Sequence, residues 1–244
     1  MSQRTVLGIV AVLVIAVVGY AVFVLSPGTI RLAQGGVHTV APPLKNPQGD
    51  EIDPNDPGMK DFKQGRYPEA VAFWLRQADA GDEGAAHKLG VEYMDGKPWV
   101  LPRDYAKALK YHRQAAAAGN ALSMFDVGSI YEYGYGVPKD IAVAAKWYGY
   151  SAQYGLAQGQ YNYATMLEAG EGVAKDEVEA YKFYVLAARG GFDGVPYDNE
   201  KLRIDQNAPR PTELLQRRLS RQQINDGKAR ADAFKPQSGP LKVD

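Results

Sequence analysis

Residues 119–155 read GNALSMFDVGSIYEYGYGVPKDIAVAAKWYGYSAQYG. The stretch begins and ends on a glycine, and each glycine closes an alanine-rich segment. The same punctuation recurs at Gly81 and Gly191, so four glycines follow one another at separations of 38, 36 and 36. Self-similarity at a fixed period of this size marks a stacked-repeat architecture. Aligned on the glycines, an aromatic stands eight positions before each (Phe73, Tyr111, Trp147, Phe183) and an alanine eleven before (Ala70, Ala108, Ala144, Ala180). That three-residue offset puts both columns on one helical face. After the first three glycines, a small residue comes nine positions on (Gly90, Gly128, Ala164) and Tyr93, Tyr131 or Leu167 twelve on. A further glycine comes fifteen on (Gly96, Gly134, Gly170), and the excess of the first repeat sits in KPWV at 97–100.

The columns predict two antiparallel helices per repeat. Helix A runs from about the second to the fourteenth position after each glycine. Its small-residue column admits a neighbouring helix backbone, and its tyrosine or leucine column fills the core. A short turn follows, and Asp104, Asp140 or Asp176 then caps helix B by accepting its free amide hydrogens. Asp176 and Glu179 have capping-box spacing. The aligned glycine suits the left-handed backbone that ends a helix.

Three motifs carry a family resemblance: Leu89-Gly90-x-x-Tyr93-x-x-Gly96, Val127-Gly128-x-x-Tyr131-x-x-Gly134 with Gly136-Val137, and Lys146-Trp147-Tyr148-x-x-Ser151-Ala152. In these, residues 61–191 resemble the Sel-one-like repeats, a variety of tetratricopeptide-like repeat, here of a membrane-anchored bacterial type. Ala164 and Leu167 depart from the pattern in the third repeat. The resemblance implies an all-α, right-handed α-solenoid of helix–turn–helix units that serves as an adaptor in a protein complex, with no cofactor. Upstream, Phe62-x-x-Gly65-x-Tyr67-x-x-Ala70 looks like a tetratricopeptide opening and gives the stack a short first helix and a full second one. Downstream of Gly191 the columns fail, and Pro196, Pro209 and Pro211 interrupt the chain. Thr212 is the expected N-cap of one terminal helix and Ser220-x-x-Gln223 opens another, with Ile224, Ala231 and Phe234 inward.

Residues 5–25 (TVLGIVAVLVIAVVGYAVFVL) carry no charge and, as a helix, reach about 30 Å, the thickness of a bilayer's hydrocarbon core. They are expected to form a single transmembrane helix. Bulky residues at its end argue against a cleaved signal peptide. With few residues before the span, the N-terminus is expected inside and the soluble domain in the periplasm. The division expected is an anchor over 1–26, a Pro-rich acidic linker over 27–57, repeats over 58–191, and capping helices with a tail over 192–244. The linker run APPLKNPQGDEIDPNDP is too polar and proline-rich to bury a core.

The chain has 28 basic and 28 acidic residues, so no net charge attracts nucleic acid. It has no cysteine, which removes thiolate chemistry and cysteine-ligated metals. The histidines His38, His87 and His112 show no metal-ligand spacing along the chain, and no metal site is expected from them. His112 follows Tyr111 in the column of Tyr148 and Tyr184, which predicts half-buried packing. The glycine-rich turns lack the Lys-Ser/Thr of a phosphate loop. No nucleophile stands beside a base, and no enzyme activity is expected.

Partner binding is the expected function. A-helix positions three, seven, ten and fourteen after each glycine avoid the core columns and share one stripe. The groove so predicted contains Lys88, Leu122, Asp126, Ser129, Tyr133, Gln158, Asn162 and Thr165. The reading is a membrane-anchored scaffold for a membrane-associated protein partner, an accessory subunit of a membrane complex. The alternative is a periplasmic module for a cell-wall glycan or another non-protein ligand.

Overall fold

The structure, a computed structural model, describes residues 56–97, 101–192 and 210–242. The expected transmembrane stretch 5–25, almost all of the linker, and residues 98–100 lie outside them. Among the described residues no helix is long and apolar enough to cross a membrane.

The described chain is helical, without strands, and its helices stack in sequence order. They are α1 (Pro57–Lys63), α2 (Tyr67–Asp79), α3 (Glu83–Asp95), α4 (Tyr105–Ala118), α5 (Ala121–Tyr133), α6 (Ile141–Gln153), α7 (Ala157–Ala169), α8 (Glu177–Arg189), α9 (Pro211–Gln216) and α10 (Arg221–Asp232). The A helices α3, α5 and α7 each run from the second to the fourteenth position after an aligned glycine, as the columns predict. Each pairs with the following B helix and also touches the preceding one. The glycines Gly81, Gly119, Gly155 and Gly191 all hold positive φ. At Gly81 the turn closes with Gly81 N–H donating to Ala78 O at 2.9 Å and Asp82 N–H to Gln77 O at 3.0 Å. Two otherwise orphaned carbonyls of α2 are satisfied in this way.

The A-to-B turn is locked identically in each repeat. Asp104, Asp140 and Asp176 each cap a B helix: Oδ1 accepts from Lys107 N at 3.0 Å, Val143 N at 3.0 Å and Glu179 N at 2.9 Å. The same three aspartates donate their own N–H back to Tyr93 O, Tyr131 O and Leu167 O, each at 2.9 Å. The column residue of helix A thus fixes the start of helix B. The first-repeat insertion leaves this lock intact and is closed by backbone bonds between Lys97 and Leu101. Glu179 does not complete a capping box. Its carboxylate turns to Lys182 at 2.6 Å and to Arg230 at 3.1 Å, because α10 brings a second cation to it.

Packing differs from expectation in one respect. The small-residue column admits an aromatic ring, not a helix backbone. A Cβ on Gly128 would meet the Tyr148 ring at 2.8 Å, and one on Gly90 the His112 ring at 2.6 Å. The ring seven positions before each glycine (Trp74, His112, Tyr148, Tyr184) is accordingly buried throughout. The expected core column one position earlier is buried at Tyr111 and Phe183 but only partly at Phe73 and Trp147. Full burial of such a side chain contributes about 1.5–3 kcal/mol.

At the far end, Ser220 and Gln223 form the predicted capping box (Ser220 N to Gln223 Oε1 2.9 Å, Gln223 N to Ser220 Oγ 3.3 Å). Thr212 is not the cap of α9: it lies within the helix, since Pro211 supplies the pre-set φ at the first position. Gly227 lets α10 approach Tyr181, where a Cβ would come within 2.8 Å of the ring. Ala231 is buried, while Ile224 and Phe234 are partly so. Beyond α10 the chain runs back along the ends of the B helices. Gln237 N–H donates to Gln153 O at 2.9 Å and Leu241 N–H to Ala117 O at 3.0 Å. Each bond satisfies a carbonyl in the last turn of a B helix, and Leu241 packs on the central core.

Candidate partner-binding face

Several residues of the predicted A-helix stripe are engaged within the stack. Lys88 on α3 pairs with the Asp56 carboxylate, which also accepts from Gly58 N at 2.8 Å and Trp74 Nε1 at 3.3 Å. Burial raises the Asp56 pKa, but Lys88, the Met59 amide and the Trp74 indole outweigh it and hold the group below its ordinary value. Ser129 lies 3.0 Å from the Tyr148 hydroxyl, which donates to Glu132 at 2.6 Å. Burial first, then Glu132, pushes the Tyr148 phenol up, so it stays a donor. Thr165 donates to Tyr161 O at 3.0 Å and accepts from Tyr184 at 3.2 Å, while Tyr184 also donates to Glu168 at 2.9 Å. Leu122 packs on the central core.

Ser129, Gln158 and Asn162 are buried, which corrects the expectation that they line an accessible groove. Successive A helices converge on this side of the stack, α3 touching α5 and α5 touching α7, so the stripe packs within its own layer. Tyr133 remains substantially open, at 40% exposure. It stacks on Tyr135 (centroids 5.5 Å, 28°), which stacks on Tyr105 (5.4 Å, 17°), and the Arg103 guanidinium lies 5.7 Å from the Tyr105 ring. Gly136 makes the ladder feasible: it holds φ +69°, and a Cβ there would stand 2.5 Å from Tyr105 Cβ. Burial and the neighbouring Glu132 and Tyr135 push the Tyr133 phenol up to about 12, so this phenol is neutral at physiological pH.

Asp126, the central polar residue of the stripe, faces two histidines that spacing along the chain did not connect. His87 from α3 and His112 from α4 have ring centroids 5.5 Å apart. Their Nδ1 atoms lie 3.5 and 3.3 Å from Asp126 Oδ2. Ser123 Oγ is 2.9 Å from His87 Nδ1 and 3.5 Å from that of His112. His112 is fully buried, beyond the half-burial expected, and burial together with His87 holds its pKa well below the ordinary value. Burial and Asp95 push Asp126 up to about 7. The repeat columns contained the signal for this cluster. His87 stands where the later repeats have Phe125 and Tyr161, and His112 where they have Tyr148 and Tyr184.

Elsewhere, a cleft of about 270 Å³ between α6 and the turn after α7 is lined by Lys146, Tyr150, Gln153 and Tyr163 among others, with no carboxylate or histidine in its lining.

The Sel1 repeat family matches residues 84–120, 121–156 and 157–192. Residues 84–192 are three consecutive Sel1 repeats. The matched segments follow the aligned glycines, so the family unit is the A–B helix pair described above. Sel1 repeats generally mediate protein–protein interaction. Over 72 residues the chain is 33% identical to the ERAD-associated E3 ubiquitin-protein ligase component HRD3A of Arabidopsis thaliana, and 34% identical to HRD3B of the same plant. These segments cover 30% of this chain but only 10% and 12% of those relatives. Among solved structures, a Sel1 repeat protein from Oxalobacter formigenes aligns with 26% identity and a TM-score of 0.51, over 54% of each chain. A protective antigen of uropathogenic Escherichia coli with an SLR fold aligns with 34% identity and a TM-score of 0.47, over 50% of this chain and 26% of its own.

Proposed function

We propose that this Sel1 repeat protein is a membrane-anchored scaffold whose A-helix side holds a protein partner, as the accessory subunit of a membrane complex. The observation that carries the reading is the Tyr105–Tyr135–Tyr133 ladder. It is a stacked aromatic surface set at a turn and open at two of its three rings. Tyrosines of this kind supply large contact area at small entropic cost and are enriched at interfaces. The charge-free stretch 5–25 supports the anchor, and on this reading the repeats lie in the periplasm. On this reading the repeats bind, with Lys88, Ser129 and Thr165 of the stripe held in contacts within the stack. That the named plant relatives are ligase components fits a role inside an assembly.

Photo-cross-linking from position 135 of the full chain in its own membrane tests this. A discrete protein adduct, lost when Tyr133 is replaced by Ser, is the expected result. The same stacked tyrosines favour a second reading, a module for cell-wall glycan, since aromatic faces also match the apolar faces of sugars. No protein adduct, together with retention of the protein on purified cell-wall glycan through Tyr133 and Tyr135, would replace the scaffold by that reading.

A further inference from the structure

From three converging ligand atoms, we infer that His87, His112 and Asp126 form a binding site for a divalent transition metal, zinc in the first place, that braces the first two repeats. The atoms are His87 Nδ1, His112 Nδ1 and Asp126 Oδ2, and all lie within 4.8 Å of one another. The two nitrogen-to-oxygen distances, 3.5 and 3.3 Å, are too long for charge-assisted hydrogen bonds, which cluster at about 2.7–2.9 Å. They match the edge of a tetrahedron with metal–ligand bonds of ~2.05 Å, which is about 3.3 Å.

A second observation points the same way. Asp126 Oδ2 is buried and accepts no hydrogen bond, a costly state for a carboxylate oxygen. A cation between it and the imidazoles removes that cost. Two imidazole nitrogens select zinc, cobalt, nickel or copper over calcium or magnesium, which prefer all-oxygen shells. The His87 and Asp126 side chains retain 21% and 27% exposure, which gives an ion a route in and leaves a fourth position for water. Ser123 Oγ lies beside both nitrogens and can orient that water.

The internal repeats mark the site as a departure from a packing rule. At the His87 column later repeats carry Phe125 and Tyr161, and at the His112 column Tyr148 and Tyr184. In both later repeats the tyrosine donates to a glutamate on its own A helix, Glu132 or Glu168. The first repeat has Met94 at that glutamate position, so its histidine turns to Asp126 of the next repeat. The three ligands come from α3, α4 and α5, and a metal held by them joins consecutive repeats.

The test uses the full-length chain in detergent, without a histidine tag, titrated with Zn²⁺ alone and with Co²⁺ alone. One equivalent is expected to bind, with the intense visible bands of tetrahedral Co²⁺, and the thermal midpoint should rise with Zn²⁺ and fall on adding chelator. His112→Tyr and His87→Phe, each installing the residue of a later repeat, should lose at least 100-fold in affinity while keeping the helical circular dichroism. If either fails to fold, Asp126→Asn, which copies Asn162, decides by the same loss. No stoichiometric binding at micromolar metal, or binding unchanged in Asp126→Asn, overturns the site.

Discussion

Tyr148 shows how one residue sets the spacing of this stack. Its ring lies on the backbone of α5 at Gly128, and its hydroxyl reaches Glu132 on the same helix. Gly128→Ala places a methyl group 2.8 Å from that ring. It should lower stability by about 1–3 kcal/mol in a denaturant titration, the usual cost of overpacking. Tyr148→Phe keeps the ring and removes the donor to a buried carboxylate, and should cost about 1–3 kcal/mol in the same assay. Asp56 gives a pH dependence. Its folded pKa is below its ordinary 3.8, so the carboxylate stabilises the α1–α2 end at neutral pH. That contribution is full above the ordinary value and is lost as pH falls through the lowered one. Acid titration followed by Trp74 fluorescence should show an early transition below pH ~4 that is absent in Asp56→Asn.

At the scale of elements, the helix boundaries were legible because their signals are local. Glycines with positive φ end each B helix, and aspartates begin them, so α3 to α8 fall where the columns place them. What escaped was whatever depends on neighbours outside the repeat. Glu179 has the spacing of a capping box, but α10 offers it Arg230. Gln158 and Asn162 fall in the predicted groove stripe, and the converging A helices bury them. His87 and His112 lie far apart in the chain, and only stacking of repeats brings them to one aspartate. The C-terminal segment 234–242 carries no periodicity and was read only as a tail. Its bonds to Gln153 and Ala117 make it a strap across two repeats. Truncation after residue 234 removes both bonds and Leu241, and should lower stability by on the order of 2–3 kcal/mol. Hydrogen exchange should show the loss at the last turns of α4 and α6; uniform protection with and without the tail would contradict the strap.

For the whole molecule, a stack of repeats is close to one-dimensional: each A–B pair contacts its neighbours, and the ends need closing. Here α1–α2 close one end, through Asp56 and Trp74, and α9–α10 pack on α8 to close the other. Between them the tyrosine ladder shared by the first and second repeats is the surface on which a partner is proposed to sit. The measurement that tests this most directly is native mass spectrometry of the full-length protein, extracted gently with detergent from the cells that make it. The account predicts a stoichiometric protein partner that stays with the natural chain and is absent from Tyr133→Ser/Tyr135→Ser, with the helical fold unchanged. A chain that flies alone, or a partner retained by that variant, would contradict it.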